Sequence, residues 1–573
     1  MKKVKLFSFA LAALMLGACS SEDGIDNGGQ GTVLPGEKGY ISLAINLPTT
    51  PSTRANDNFD DGLPVEYAVN NATLLIFEGT DEASAKFAGG YDLGTITPNT
   101  VGGNITSTFK VTKEIKKPVN GDLYALVVVN RGDVLTTEDQ GATWKLNGTE
   151  LSALTTLSAF NATAQEIAAE KLYDTTDDGN GFFMTNAPLY SVPGGTVQPS
   201  NGNLSTLTLI NAENVYTTAA EAEANPAASV YVERAVAKVT VNGTNGNLGN
   251  NAGMTYTISG WTFDVTNKKT YLVRNMTDAN TWWNYNVAGD YRFVGSAAVG
   301  PNLYRTYWGV DPNYSSYIAG DFNIFAGQTP ADLNPVNGNG YCLENTFDVY
   351  NQNQNQTTRV IVAATLNAGS TFYILDNDKG KIWSKTEAED AVKAEYLGNQ
   401  AVIAALTANL DGADKKITGD DLTVTFDKAA GDLTITMIEI SADKAGDFKG
   451  GEIPDALTPG TEANNAILAA VNAGKKVSCY ANGVAYYPVM IRHFDDNQTP
   501  WNNVEYGGNE NNFLGRYGVL RNNWYEINVT GIKDIGYADV PDVYGTPDDP
   551  MESYISVEIN VLSWAKRSQN VEL

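Results

Sequence analysis

Few residues of this 573-residue chain have types and spacing that could do chemistry. There are three cysteines, Cys19, Cys342 and Cys479, and one histidine, His493. Cys19 closes the segment Leu16-Gly17-Ala18-Cys19, which follows a basic start (Lys2, Lys3, Lys5) and a short apolar run, Leu6 to Leu16. That run is too short to cross a bilayer as a mature helix and fits a signal peptide, residues 1–18. Small residues ahead of Cys19 permit cleavage, and its thiol then takes a diacylglycerol. Two or more acyl chains anchor a protein stably to a membrane. Cys342 and Cys479 lie far apart in sequence. An oxidising compartment allows either one disulfide between them or two separate buried thiols. His493 has no partner motif around it and reads as structural. No His cluster or Cys-x-x-Cys pair for zinc, no nucleophile elbow, no P-loop and no G-x-G-x-x-G behind a strand is evident. The expectation is therefore no enzyme, no cofactor and no metal. Two acidic loops, at Asp174 to Asn180 and Asp376 to Gly380, miss the EF-hand register, and turn chemistry accounts for both.

Charge narrows the partners. Lys and Arg number 38 against 66 Asp and Glu, a formal net charge of -28. Without a basic face the chain cannot displace counterions from phosphates, which excludes nucleic acid as a partner and disfavours a charge-driven hold on an anionic membrane. Charged residues are only 18% of the chain, too few for a disordered acidic tail.

The elements around these residues are β-rich. Tyr40-Ile-Ser-Leu-Ala-Ile-Asn-Leu47 alternates cleanly, with Ile41, Leu43, Ile45 and Leu47 on one face of a half-buried strand. A Gly/Asn/Asp/Ser-rich tether, residues 20–38, precedes it. A Pro/Thr/Ser-rich loop with Arg54 and Ala55 follows it and lies open to proteases. Further strands are expected at Ala72–Phe77, Thr106–Val111, Leu123–Val129 and Leu204–Ile210, with a helix around Leu151–Leu172. A domain boundary is placed near Ser229. Beyond it strands are expected at Met254–Ile258, Thr358–Ala364, Leu422–Phe426, Leu433–Ile440, Ala485–Ile491 and Trp524–Val529, and helical inserts at Thr386–Leu410 and Glu462–Asn472. The pattern is a pair of antiparallel sandwiches with helical excursions. An aromatic group (Trp261, Trp282, Trp283, Tyr285, Tyr291, Tyr304, Tyr307, Trp308) reads as core, with a sugar-stacking surface as the rival.

Near the end, Tyr554-Ile-Ser-Val-Glu-Ile-Asn-Val561 repeats the early strand. Tyr, Ile, Ser, Ile and Asn recur at the same places, and Ile555, Val557, Ile559 and Val561 again share a face. Two strands of one pattern can fill one kind of groove. Four aliphatic side chains at about 1.5–3 kcal/mol each give an upper bound of roughly 6–12 kcal/mol before ordering costs. The tail Ala565–Leu573, with Val571 and Leu573 alternating, shares this region, so the donor is taken as residues 552–573 as a whole.

These pieces carry a family resemblance. The lipobox at Cys19, the early strand with Arg54-Ala55, Val232-Glu-Arg-Ala-Val-Ala-Lys238, Tyr341-Cys-Leu-Glu-Asn-Thr346, Leu514-Gly-Arg-Tyr-Gly-Val519, Arg521-Asn-Asn-Trp-Tyr-Glu-Ile-Asn-Val529 and Ser556-Val-Glu-Ile-Asn-Val-Leu-Ser-Trp564 run in order along the chain. Together they resemble the Bacteroidales type V fimbrillins, most of all the shaft subunit of the short fimbria. The resemblance implies a mainly β fold of two transthyretin-like antiparallel β-sandwich domains with short helical inserts. It implies a lipidated precursor on the outer membrane surface, cut between Arg54 and Ala55 by an Arg-specific or trypsin-like protease. The 519 residues that remain would polymerise through a C-terminal strand entering a neighbour's vacated groove, in an extracellular fimbria with anchor and tip subunits that supports adhesion and biofilm formation. The domains expected are a lipidated propeptide 19–54 with removable strand 40–47, an N-terminal sandwich 55–228 with the acceptor groove, a C-terminal sandwich 229–551 and a donor region 552–573. The alternatives are a surface glycan-binding lipoprotein that stays anchored, or an accessory or tip subunit.

Overall fold

The computed structural model describes residues 33–47, 63–96, 108–163, 166–176, 179–194, 203–251, 253–283, 293–300, 302–325, 327–328, 332–494, 499, 510–548, 558–563 and 566–572. The first sandwich is built from β1 (Lys38–Asn46), β2 (Ala72–Gly79), β3 (Lys86–Gly94), β4 (Thr108–Lys116), β5 (Asp122–Val129), β6 (Met184–Asn186) and β7 (Ala228–Arg234). The strand order is β3-β2-β5-β6-β7-β1-β4. β7 turns the corner between the two sheets: Ala228–Tyr231 pairs with β1, and Val232–Arg234 pairs with β6. Both sheets press on one core, which takes Ile41, Leu43 and Ile45 from β1, Leu74 and Ile76 from β2 and Phe109 from β4. Alternation along each strand is what lets one face be apolar.

Only Ala235 separates β7 from β8 (Val236–Gly243), and β8 belongs to the second sandwich. The hand-over between sheets therefore lies at Ala235, a few residues beyond the expected Ser229. The β-rich segment Ser229 to Val241 carries no turn residue, and pairing partners alone divide it. Beyond β8 the chain forms β9 (Thr255–Asp264), β10 (Asn339–Leu343), β11 (Arg359–Leu366), β12 (Phe372–Leu375), β13 (Leu422–Phe426), β14 (Gly431–Leu433), β15 (Ile435–Ile440), β16 (Val477–Tyr480), β17 (Val484–Met490), β18 (Asn523–Gly531), β19 (Glu558–Ser563) and β20 (Lys566–Glu572). One sheet runs β10-β8-β18-β19-β20, and β9-β11-β17 forms the other. Val239, Val241, Ile527 and Val529 of the first meet Ile258, Val360, Val362 and Val489 of the second.

In the first half the helices are shorter but more numerous than the sequence suggests. α1 is a single turn, Pro64–Tyr67. α2 covers Leu157–Thr163, well inside the expected Leu151–Leu172. α3 is Ala219–Ala224, closed at its start by a capping box between Thr218 and Glu221. The expected helix 386–410 is two, α4 (Lys385–Gly398) and α5 (Gln400–Asn409). Asn399 leaves the helical region (φ -67°, ψ 130°) and its side chain accepts from Ala401 N at 2.9 Å, which ends one helix and caps the next. α6 spans Glu462–Gly474. α4, α5 and α6, with β12-β16-β14 and β13-β15, build a third core of their own. β12 and β16 are a shared wall: Phe372 and Ile374 face the second core, Tyr373 and Leu375 the third.

The junction of the two sandwiches is a buried polar network. The Glu66 carboxylate meets Lys238 Nζ at 2.8 Å and accepts from the Tyr341 hydroxyl at 2.6 Å. Arg234 Nε donates to the Glu66 carbonyl at 2.6 Å, and its Nη1 to Asn522 at 3.2 Å. Burial pushes the Arg234 guanidinium down to about 10 against the opposing charge of Glu66. Lys238 also lies over the Trp524 ring at 3.8 Å. Beside it, Arg274 holds Glu233 at 2.6 Å, and Arg521 N donates to Glu344 at 3.2 Å. Removing one partner of such a pair leaves a buried charge uncompensated. Lys238→Met should therefore lose about 3–5 kcal/mol of stability, read as a fall in the urea midpoint by circular dichroism.

Candidate functional site

β1 carries the pattern singled out in the sequence, and its surroundings are unusual for a first strand. It runs antiparallel to β4, Lys38 to Asn46 opposite Lys116 to Thr108, and parallel to β7, Leu43 to Asn46 opposite Ala228 to Tyr231. It is thus a central strand, hydrogen-bonded on both sides. Tyr40 adds a backbone bridge to Tyr216 (N to O 2.7 Å and 2.8 Å), and Ala227 N donates to the Ser42 carbonyl at 2.7 Å.

Both faces are covered. Ile41, Leu43 and Ile45 are each 1% exposed and Leu47 is 3% exposed, all inside the first core. The opposite face presents Ser42, fully buried, and Ala44, 9% exposed. Neither belongs to that core. α3 packs over β1 and β4 on this side, and its Ala222 is fully buried without joining the core either. The Ser42 hydroxyl has no hydrogen-bond partner among the described residues. At the open end of the strand, Lys38 Nζ and the Tyr40 hydroxyl both donate to Glu114, at 2.6 Å and 3.3 Å. At its N-terminal end Gly39 allows a close approach: a Cβ there would lie 2.6 Å from Val215 Cγ1 and 2.9 Å from the Tyr216 carbonyl. The strand's chemistry is that of a plug: main-chain pairing on two sides, aliphatic side chains inward, small side chains outward.

The other end of the chain forms β19 and β20. β20 runs parallel to β18, with Val571 opposite Val529, and Asn523 of β18 stands opposite Ser563 of β19. Ile559 and Val561 lie in β19 and Val571 in β20. Cys19, Arg54, Ala55, Ile555, Val557 and Leu573 lie outside the described residues.

The alternative of a Cys342–Cys479 disulfide is not realised. Both are free buried thiols, Cys342 in the second core and Cys479 in the third. They sit on strands of different sheets, β10 and β16. Burial pushes both thiols up, so neither is poised to react. His493 is structural: its ring nitrogens contact the Tyr525 hydroxyl and the Tyr307 carbonyl, each at 2.7 Å. Trp261, Trp282 and Trp308 are all buried, so these three rings offer no sugar-stacking face, while Tyr304 and Tyr307 are half-buried. Tyr285 and Tyr291 lie outside the described residues. The Asp174 carboxylate accepts from Thr176 N at 3.0 Å and Asn180 N at 3.3 Å, which closes the first loop on itself, and Asp376 accepts from Lys475 at 2.7 Å and Lys476 N at 3.0 Å, which ties the second loop to the segment ahead of β16. No group of His, Cys, Asp or Glu among the described residues could hold a metal ion. Sequence reasoning missed α3 as a cover for β1; the Thr218-x-x-Glu221 capping box ahead of Ala222 was the available signal.

Residues 478–570 match the family model described as major fimbrial subunit protein type IV, fimbrillin, C-terminal. No curated protein sequence matches the chain. Among solved structures the chain is similar to a fimbrilin from Porphyromonas gingivalis, at 13% identity, covering 93% of this chain and 98% of that one, with a TM-score of 0.34. It is also similar to a tip fimbrial protein from the same species, at 14% identity, covering 58% of this chain and 79% of that one, TM-score 0.25. A third is a fimbrial assembly protein from Parabacteroides distasonis, at 13% identity, covering 57% and 82%, TM-score 0.24.

Two measurements check the geometry. Leu43→Ala should cost about 2–5 kcal/mol in urea unfolding of the precursor, whereas Ser42→Ala, which removes an unpartnered buried hydroxyl, should be neutral or slightly stabilising. Iodoacetamide should leave Cys342 and Cys479 unlabelled in the folded chain and label both in urea, read by peptide mass.

Proposed function

We propose that this chain, a fimbrillin in its C-terminal region, is a fimbrial, cell-adhesion protein of the bacterial surface and serves as a structural subunit that polymerises by strand exchange. The carrying observation is β1, a central strand buried on both faces that enters the sheet from the N-terminus and connects onward through residues 48–62. A cut after Arg54 severs β1 from the rest of the sandwich. Its loss leaves β4 and β7 with unpaired backbone edges above an open core, a surface that another strand must fill.

The lipobox at Cys19 gives the precursor its station on the outer membrane, and the Arg-specific or trypsin-like cut between Arg54 and Ala55 frees the chain from it. The region 552–573 of the next copy then supplies the replacement strand. Donor and acceptor lie on different surfaces, so the contact is head to tail and extends into a filament rather than closing. Copies of the same chain are the main partners, with anchor and tip subunits at the ends. Shaft rather than tip is favoured by the strand-forming tail, since a terminal subunit has no neighbour to donate to.

Limited trypsin digestion of purified precursor, followed by N-terminal sequencing and mass, tests this. A new N-terminus at Ala55 together with ladders of detergent-resistant multimers is expected. A chain that stays monomeric after the cut, or that is found on cells with acylated Cys19 as its mature start, excludes strand exchange.

A further inference from the structure

The two ends of the chain match over eight residues, but one position changes class. With Tyr554 set on Tyr40, the pairs are Ile555 on Ile41, Ser556 on Ser42, Val557 on Leu43, Glu558 on Ala44, Ile559 on Ile45, Asn560 on Asn46 and Val561 on Leu47. A carboxylate thus replaces a methyl group. Ala44 lies on the face turned away from the core, directly opposite Lys110 of β4 and Ser229 of β7. Both of those residues are exposed. Lys110 forms no ion pair among the described residues and is free to take one. Opposite charges directly across two strands attract, and a long side chain at this rim can keep its charged end in water.

We propose that Tyr554–Val561 of a second copy replaces Tyr40–Leu47 residue for residue, parallel to β7, with Glu558 opposite Lys110. This inference rests on the strand-exchange reading above and adds to it the segment, its direction and its register.

The buried Ser42 position fixes that register. A shift by one residue would turn the aliphatic face outward. A shift by two in one direction brings Tyr554 to the Ser42 position, and in the other direction Glu558. That position is fully buried beneath α3 and accommodates neither a ring nor a charge. Only the unshifted alignment puts serine there. The tail 565–573 fits worse: with Val571 and Leu573 inside, Gln569 and Arg567 take core positions held by Ile41 and Leu43 or their neighbours. The match begins at Tyr554, because Ser553 in place of Gly39 would press its Cβ on Val215 and the Tyr216 carbonyl. In the single chain Glu558–Ser563 lies along β18 as β19, so donation requires it to leave its own sheet.

Cysteine pairs read the register directly. Residues directly opposite on neighbouring strands have Cβ atoms about 4.5–5.5 Å apart, near enough for a disulfide after small adjustment. Full-length Lys110→Cys/Glu558→Cys precursor, cut with trypsin and mildly oxidised, should give a reducible ladder of covalent multimers, while uncut precursor stays monomeric. Thr112→Cys/Glu558→Cys, one inward position along β4, should not. Separately, Lys110→Glu should reduce multimer formation about two- to fivefold, and adding Glu558→Lys should restore it. Covalent ladders from the Thr112 pair instead, or multimers that neither pair crosslinks, overturn the register while leaving strand exchange standing. Absence of multimers from the cleaved wild-type chain overturns strand exchange and the register with it.

Discussion

The slot between β4 and β7 cannot stand empty, and much of the first sandwich is organised around that constraint. Each edge of the slot offers a row of backbone N–H and C=O groups, and burying such groups without partners costs free energy comparable to the lost hydrogen bonds. β1 satisfies both rows at once. It also delivers Ile41, Leu43, Ile45 and Leu47 to the core and leaves only Ser42 and Ala44 beneath α3. The strand thus completes the sandwich, yet its one covalent link to the rest of it runs through residues 48–62.

The second sandwich solves the same problem internally. β8, its first strand, is antiparallel to β10 and parallel to β18, just as β1 is antiparallel to β4 and parallel to β7. The difference is covalent. β8 continues from β7 with Ala235 as the only spacer and is tied by Lys238 into the Glu66 and Tyr341 network. A cut elsewhere could not release it. One architecture thus appears twice, once with a strand locked in by the junction and once with a strand that a single cut ahead of α1 would free. Glu66 sits in α1, the first described element after residues 48–62, so the chain beyond the expected cleavage point is pinned at once to the second sandwich.

The third core adds bulk without disturbing either sandwich. Its attachment is the β12–β16 wall, where alternate side chains serve two cores. Sharing a wall in this way removes the exposed sheet face that an insert would otherwise create, and it explains why Phe372-Tyr-Ile-Leu375 has no polar alternate positions.

Local periodicity in the sequence sufficed to find β1, β2, β5, β11, β13, β17 and β18, because each has an apolar pattern of period two or a short continuous apolar run bounded by turns. It also found the repeat between Tyr40–Leu47 and Tyr554–Val561, and it placed α6 within a few residues. It could not see that β7 and β8 serve different sheets, since Val230 to Val241 reads as one unbroken strand-forming stretch and partners alone divide it. It overextended α2, where Ala and Glu density suits a helix but tertiary contacts keep only two turns. It left the cysteine pairing open, and the fold closed it by sending Cys342 and Cys479 into separate cores. The sequence by itself determined that Tyr40–Leu47 is an alternating strand with one aliphatic face, because side-chain alternation is local. Only the tertiary structure decided that this strand is roofed by α3 and faces Lys110, because those contacts join residues more than sixty positions apart and no local pattern encodes them.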